Sequence, residues 1–296
     1  MRLLLLCALL LAAAPACATR TICWKTTSLM WDVGAGRAVP VTDEVMARLS
    51  RAFARWERAS GGALALRHEG ASAPSHDGTA RLPRDGCVHA VLYGERNFHG
   101  ELAHGGFDGK MPGSYERGHF FISRKPDAWD EDTLVHEIGH ALGLPHSAEP
   151  ASVMFSGPRS GGPAPSEQDG ADLRARWARG APGVFVIEGA IDSRRAHPTA
   201  NVFAVGVNNG RTFSARADYR GLFLIGVSAP GEYRLVARPV TVARDLNADA
   251  LGGFRESEHP QTVTLGPGRM EATGIRLSTL DDAPRPRPQA SPAASG

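Results

Sequence analysis

The stretch that most constrains this chain is residues 136–147, His136-Glu137-Ile138-Gly139-His140-Ala141-Leu142-Gly143-Leu144-Pro145-His146-Ser147. Histidines four apart lie one turn above each other on the same side of an α-helix, so both imidazoles can reach one metal ion. Gly143 can adopt φ > 0, end the helix in a sharp turn and let the chain bring His146 back to the same ion. Three neutral imidazoles suit zinc and leave its fourth position to water, the pattern of a catalytic rather than a structural site. Glu137 follows the first ligand, about 100° further round the helix, where it can act as general base on that water. The helix is also well specified as a helix. Asp130 or Asp132 can cap it, the acidic first turn (Asp130, Glu131, Asp132) suits its positive end, and Leu134, Ile138, Ala141 and Leu142 form an apolar stripe. A buried helix that merely carried two histidines would not need Gly143 and His146 at these offsets.

With these residues in place, H-E-x-x-H-x-x-G-x-x-H resembles the metzincin zinc-peptidase signature, and Ser147 after the third histidine resembles the mark of its matrixin branch. Met154, eight residues beyond His146 in Ala151-Ser152-Val153-Met154-Phe155, is similar to the matrixin Met-turn. Branches with a tyrosine ligand place it two residues later, where this chain has Ser156. The resemblance implies an α+β fold over residues 20–180, a metzincin-type catalytic domain with a mixed sheet and long helices. It also implies zinc held by His136, His140 and His146, with Glu137 catalytic.

The chain has 296 residues, enough for one large or two ordinary domains, and a net charge of +2 with no basic stripe, which gives no reason to expect nucleic acid as a partner. Residues 1–18 read as an export signal, because Arg2 precedes an apolar run, Leu3 to Ala14, that is too short to span a bilayer and ends in small residues. Cleavage fits after Ala16 or after Ala18. The first choice leaves Cys17 at the new N-terminus and resembles a bacterial lipoprotein signal, although Ala14 stands where such signals usually carry leucine. The expected location is therefore extracellular, or the cell envelope with membrane attachment through lipidated Cys17.

From Arg20 the alternation of apolar residues predicts a strand over Thr21–Trp31, an amphipathic helix over Asp43–Ser60 stopped by Gly61-Gly62, and strands over Ala63–His68 and Cys87–Gly94. Ala52-Phe53-Ala54-Arg55-Trp56 resembles the core of the first matrixin helix. Glu101-Leu102-Ala103-His104 is similar to the edge strand along which matrixins align extended substrates, which makes a protein or peptide the expected partner. Ser166-Glu167-Gln168-Asp169 should cap a last helix running to about Trp177. Outside the motifs, His68, His76 and His89 read as solvated surface.

Export makes a disulfide between Cys23 and Cys87 chemically possible. The resemblance pairs them, since the first and third strands are parallel neighbours in the family's sheet. It also raises a second, structural zinc: His104 and His119 correspond to two of its usual ligands, but residues 95–100 lack the H-x-D of that site, and His99 or Asp108 stands at no matching position. Two assured histidines imply a weak or empty second site. Phe120-Phe121-Ile122-Ser123-Arg124 lacks the acids that follow in calcium-binding relatives, so no calcium requirement is expected. No segment resembling a latency propeptide fits between signal and domain, which points to control by a separate inhibitor, or to none.

Beyond Gly183 the composition shifts to short alternating strands, over 184–191, 201–207, 211–217, 221–227, 232–238, 261–265 and 274–277, the pattern of an all-β sandwich spanning 184–280. Tyr219-Arg220-Gly221-Leu222-Phe223 and Ala229-Pro230-Gly231-Glu232-Tyr233-Arg234-Leu235 resemble the carboxypeptidase regulatory-like, transthyretin-like module. Residues 281–296 are rich in Pro, Ala and Ser and read as a disordered tail. Two functions compete: an exported zinc endopeptidase, or an exported surface-binding protein whose zinc domain has little or no turnover. The intact Glu137 favours the first.

Overall fold

The computed structural model describes residues 19–32, 34–72, 82–92, 103–110, 114–122, 129–155, 161–181, 183–192, 200–218, 220–239 and 256–278. Residues 1–18, expected to be an export signal and including Cys17, lie outside them, as do residues 281–296, His76, His99, Leu102, Ser156 and Tyr219.

The N-terminal part begins with β1 (Arg20–Thr26), the hairpin β2 (Leu29–Asp32) and β3 (Arg37–Pro40), helix α1 (Asp43–Ala59) and β4 (Leu64–Ala71). It continues with β5 (Val88–Val91), β6 (Ala103–Lys110), β7 (Ser114–Ile122), α2 (Glu131–Ala141) and α3 (Glu167–Trp177). Five of the strands form one sheet in the order β4-β1-β5-β7-β6, parallel except for β6, which pairs antiparallel with β7 at the edge. Parallel β1 and β4 need a crossover, and α1 supplies it. Thr42 caps α1 by accepting from the Val45 N–H at 3.3 Å, and Val45, Leu49, Ala52, Phe53 and Trp56 put an apolar stripe into the core. Trp56 is fully buried, so its indole N–H needs a partner; Nε1 donates to Val135 O of α2 at 2.7 Å and ties the two helices together.

The strand expected over Thr21–Trp31 is broken. Thr27 Oγ1 donates to Leu29 O and accepts from Leu92 N–H, which diverts the chain out of the sheet. The next segment folds back as β2–β3, with Asp32 Oδ1 accepting from the N–H groups of Gly34 and Ala35 in the turn. A second correction concerns His89, which is 0% exposed rather than solvated. Its strand β5 lies at the centre of the sheet, and its ring bridges Ser72 Oγ (2.8 Å) and Asp85 Oδ1 (3.0 Å). His68 is exposed and lies against Trp24. Cys23 of β1 and Cys87, the residue just before the neighbouring strand β5, form a disulfide across a sequence separation of 64. In the chain-entropy view, a loop of that length lends the fold about 4 kcal/mol.

The C-terminal part has β8 (Phe185–Asp192), β9 (Ala200–Gly206), β10 (Thr212–Arg216), β11 (Leu222–Val227), β12 (Gly231–Pro239), β13 (Ser257–Glu258), β14 (Val263–Leu265) and β15 (Glu271–Ser278). They make one sheet in the order β10-β9-β12-β13, with β14 also on β12, and another in the order β11-β8-β15. Residues of both sheets, including Ile187, Val202, Phe223, Tyr233, Leu235 and Leu277, join one apolar core separate from that around Trp56 and Ile138. Tyr233 is wholly buried, and its hydroxyl donates to Ala229 O at 2.7 Å, which pins the turn at Pro230. Strand β13 went unforeseen because two residues carry no readable alternation. No described helix is long and apolar enough to cross a membrane.

Candidate metal centre

Helix α2 carries the first two histidines, and its burial pattern is the expected one, with Leu134, Ile138, Ala141 and Leu142 at 0% exposure. Asp130 occupies the N-cap position, but its side chain makes no cap hydrogen bond, so the acidic first turn acts through charge alone. The helix ends in a Schellman motif: Gly143 has φ 94°, its N–H donates to His140 O, and Leu144 N–H donates to Gly139 O. Two aromatic donors satisfy the last carbonyls, Tyr115 Oη on Ala141 O (2.9 Å) and Trp177 Nε1 on Leu142 O (3.0 Å).

The turn returns His146 to the helix as the spacing requires. The three ring centroids lie 4.7, 4.7 and 5.2 Å apart, and the rings offer ligand atoms within 4.8 Å of one another. Hydrogen bonding fixes how two of them present themselves. His136 Nδ1 lies 2.7 Å from Val153 O and His140 Nδ1 lies 2.7 Å from Leu144 O. A carbonyl only accepts, so in each neutral ring the proton sits on Nδ1 and the Nε2 lone pair is left over. These two Nε2 atoms face each other at 3.1 Å. Two acceptors at that distance repel unless a cation lies between them. Zinc–nitrogen bonds of about 2.1 Å at tetrahedral angles would separate neighbouring nitrogens by about 3.4 Å, so the donor set fits zinc. Burial pushes His140 down to about 3 and His146 well below its ordinary value, which keeps both imidazoles neutral, the form a metal needs.

Glu137 is 7% exposed, with its carboxylate under the edge strand β6. A Cβ placed on Gly105 of β6 would lie 2.6 Å from Glu137 O, 2.8 Å from Glu137 Oε2 and 2.9 Å from His140 Cβ, so the strand passes over the site at its closest where there is no side chain. Met154 is buried beneath the helix, where a Cβ on Gly139 would collide with its Sδ and with Trp56 Cζ2.

The sequence reading missed how this turn is held. Asp169, expected only as a helix-capping residue, does close a capping box with Ser166. Its carboxylate also accepts from Ser152 Oγ and from Val153 N–H at 3.1 Å. The residue it grips also supplies, from its next peptide, the carbonyl that orients His136, so α3 reaches the first ligand through one residue.

Of the residues considered for a second zinc, His99 lies outside the described residues, while His104 and His119 stand on the paired strands β6 and β7, near enough for His104 to act on the His119 charge. His104 is exposed and pairs with Phe121, while His119 pairs with Gly106 further along the strand. Asp108 Oδ2 is engaged by Arg117 Nε at 2.6 Å. Burial pushes His119 down to about 4. Among the described residues, the groups able to surround an ion are the three histidines and the Cys23–Glu69–Cys87 cluster, whose cysteines are joined to each other.

Residues 98–172 match the Matrixin family model. Among solved structures, archaemetzincin from Methanopyrus kandleri is 14% identical over 56% of this chain and 99% of that chain, with a TM-score of 0.34. Metalloproteinase-II from Bacteroides fragilis is 13% identical over 56% of this chain and 54% of that chain, with a TM-score of 0.37. No curated protein matches the chain. The matched segment contains all three histidines and Glu137, so the three-histidine centre lies in the part of the chain that is similar to the Matrixin family.

Proposed function

We propose that this protein is an exported zinc endopeptidase with one catalytic metal and no requirement for calcium. The observation that carries the reading is the pair of Nε2 lone pairs on His136 and His140, set 3.1 Å apart by Nδ1 bonds to carbonyls, with His146 beside them and Glu137 buried at the same site. A bound zinc would supply Lewis acidity to a water and to the scissile carbonyl. Glu137 takes the proton of the attacking water and delivers it to the leaving amine. β6, the outermost strand of its sheet among the described residues and next to the site, supports an extended peptide as substrate, because such a strand offers main-chain donors and acceptors that bind without regard to most side chains. An edge that could pair with a peptide along its length, rather than at a terminus, supports an endopeptidase. We assign residues 20–180 to the catalytic domain and 184–280 to a β-sandwich of the carboxypeptidase regulatory-like type, the latter supported by two sheets around one core. Release from the cell, or anchoring through Cys17, completes the proposal.

The test is casein or gelatin cleavage with and without a zinc chelator, run beside Glu137→Ala. The wild type should lose activity to the chelator and regain it with zinc. The variant should retain zinc yet lose turnover by about three orders of magnitude, the middle of the range for a positioned acid–base group. Comparable cleavage by the variant would remove Glu137 from its role.

A further inference from the structure

The third ligand differs from the other two in what stands behind it. Arg216, at the end of β10, is 8% exposed; its backbone N–H donates to His146 O at 2.9 Å and its Nη1 lies 3.3 Å from His146 Nδ1. β10 is the outer strand of its sheet, so the zinc loop lies on that sheet's open edge. A second contact between the two parts has the same form. β11 is the edge of the other sheet, and there Gln168 Nε2 donates to Gly226 O at 2.8 Å while Gly226 N–H donates to Asp172 Oδ1 at 2.5 Å. A Cβ at Gly226 would collide with the Ala171 peptide, so α3 seats directly on the strand. Two sheet edges that would otherwise invite foreign strands are thus covered by the elements that build the metal centre.

We infer that the C-terminal part is a working component of the zinc centre and that Arg216 is a positioning residue that lowers the centre's hold on its metal. This rests on the zinc-site reading above. A ligating histidine normally donates its remote N–H to an acceptor, as His136 and His140 do to carbonyls. A guanidinium has five donors and no acceptor. If His146 offers Nε2 to the metal, its Nδ1–H confronts a second donor on a cation. If it offers Nδ1, Arg216 competes for that lone pair. In both cases the guanidinium opposes the metal, while the backbone bond from residue 216 keeps the loop in place whatever side chain is there.

The experiment is zinc affinity of the full chain by competition with a chromophoric chelator, with the visible spectrum of the cobalt-substituted protein as a second readout. Arg216→Gln, whose amide oxygen can accept from Nδ1–H, should bind zinc about tenfold more tightly, the lower end of what outer partners of a ligand contribute. Its cobalt band should shift. Arg216→Met, which keeps the aliphatic stem without the donors, should tighten in the same direction, and Arg216→Lys should stay near wild type. An arginine that only packs the loop predicts looser zinc in the Gln and Met variants. Unchanged or weaker binding in the folded variants overturns the inference and leaves the zinc-site reading standing. Failure of the wild-type chain to take up zinc overturns both.

Discussion

A single carboxylate shows how the centre depends on residues that never touch the metal. Asp169 accepts from Ser152 Oγ, Val153 N–H, Ser166 N–H and Ser166 Oγ, and it is 1% exposed. Removing it strands several buried donors, and an unsatisfied buried donor costs about 1–3 kcal/mol. Asp169→Ala should therefore lose roughly 2–4 kcal/mol in urea unfolding. Because Val153, whose N–H Asp169 holds, offers its carbonyl to His136 Nδ1, the same variant should also release zinc to a chelator more readily. Lowered stability with unchanged zinc retention would confine Asp169 to capping α3. Legibility divides along the same line. His136, His140, His146 and Glu137 were readable because their relation is local, fixed by helical period and one glycine. The grip of Asp169 on a turn 16 residues back, and of Arg216 on a ligand 70 residues back, depends on tertiary packing that no local spacing encodes.

Among the elements, β6 and α2 set the geometry of catalysis between them. The strand approaches the helix at Gly105, where a Cβ would press on Glu137 and His140, and β7 approaches at Gly118, where a Cβ would collide with Tyr115 Oη and Ala141 O. Both glycines are there for closeness, since neither has positive φ. Gly105→Ala must push the edge strand off the helix or displace the Glu137 carboxylate. We expect kcat/KM to fall at least about tenfold, since small misplacement of a positioned group costs up to two orders of magnitude, with zinc content unchanged. Full activity in the variant would show that the strand yields freely. Helices were the most readable elements, α1 and α3 falling within a residue or two of expectation, because caps and apolar stripes mark them in sequence. Strands were less so. Thr21–Trp31 is rich enough in β-branched and aromatic residues to pass for one strand, and the Thr27 hydroxyl, bonded to Leu29 O and Leu92 N–H, reveals the break.

For the molecule as a whole, the large sheet should make acid stability depend on histidines outside the three-histidine centre. His89 and His119 occupy paired positions on β5 and β7. Burial is the main cause that lowers both, taking His119 to about 4, with Asp108 acting in the opposite sense on His119 and Asp85 on His89. In the unfolded chain each regains a value near 6.5. Above about pH 6.5 neither state binds the proton and the histidines leave stability unchanged with pH. Below it the unfolded chain takes up protons that the folded sheet refuses, so stability is lost as the pH falls from about 6.5 towards 4, by up to about 1.4 kcal/mol per pH unit for each histidine. The loss through His119 levels off once the pH passes its folded value of about 4. Zinc release adds an acid dependence of its own, so the comparison should be made on metal-free protein, wild type against His119→Gln, from urea midpoints at several pH values between 4 and 7.5. The variant's stability should fall less steeply by one proton over that range, whatever its absolute stability. Equal slopes would mean that His119 titrates normally in the fold, and the sheet would then owe none of its acid sensitivity to that residue.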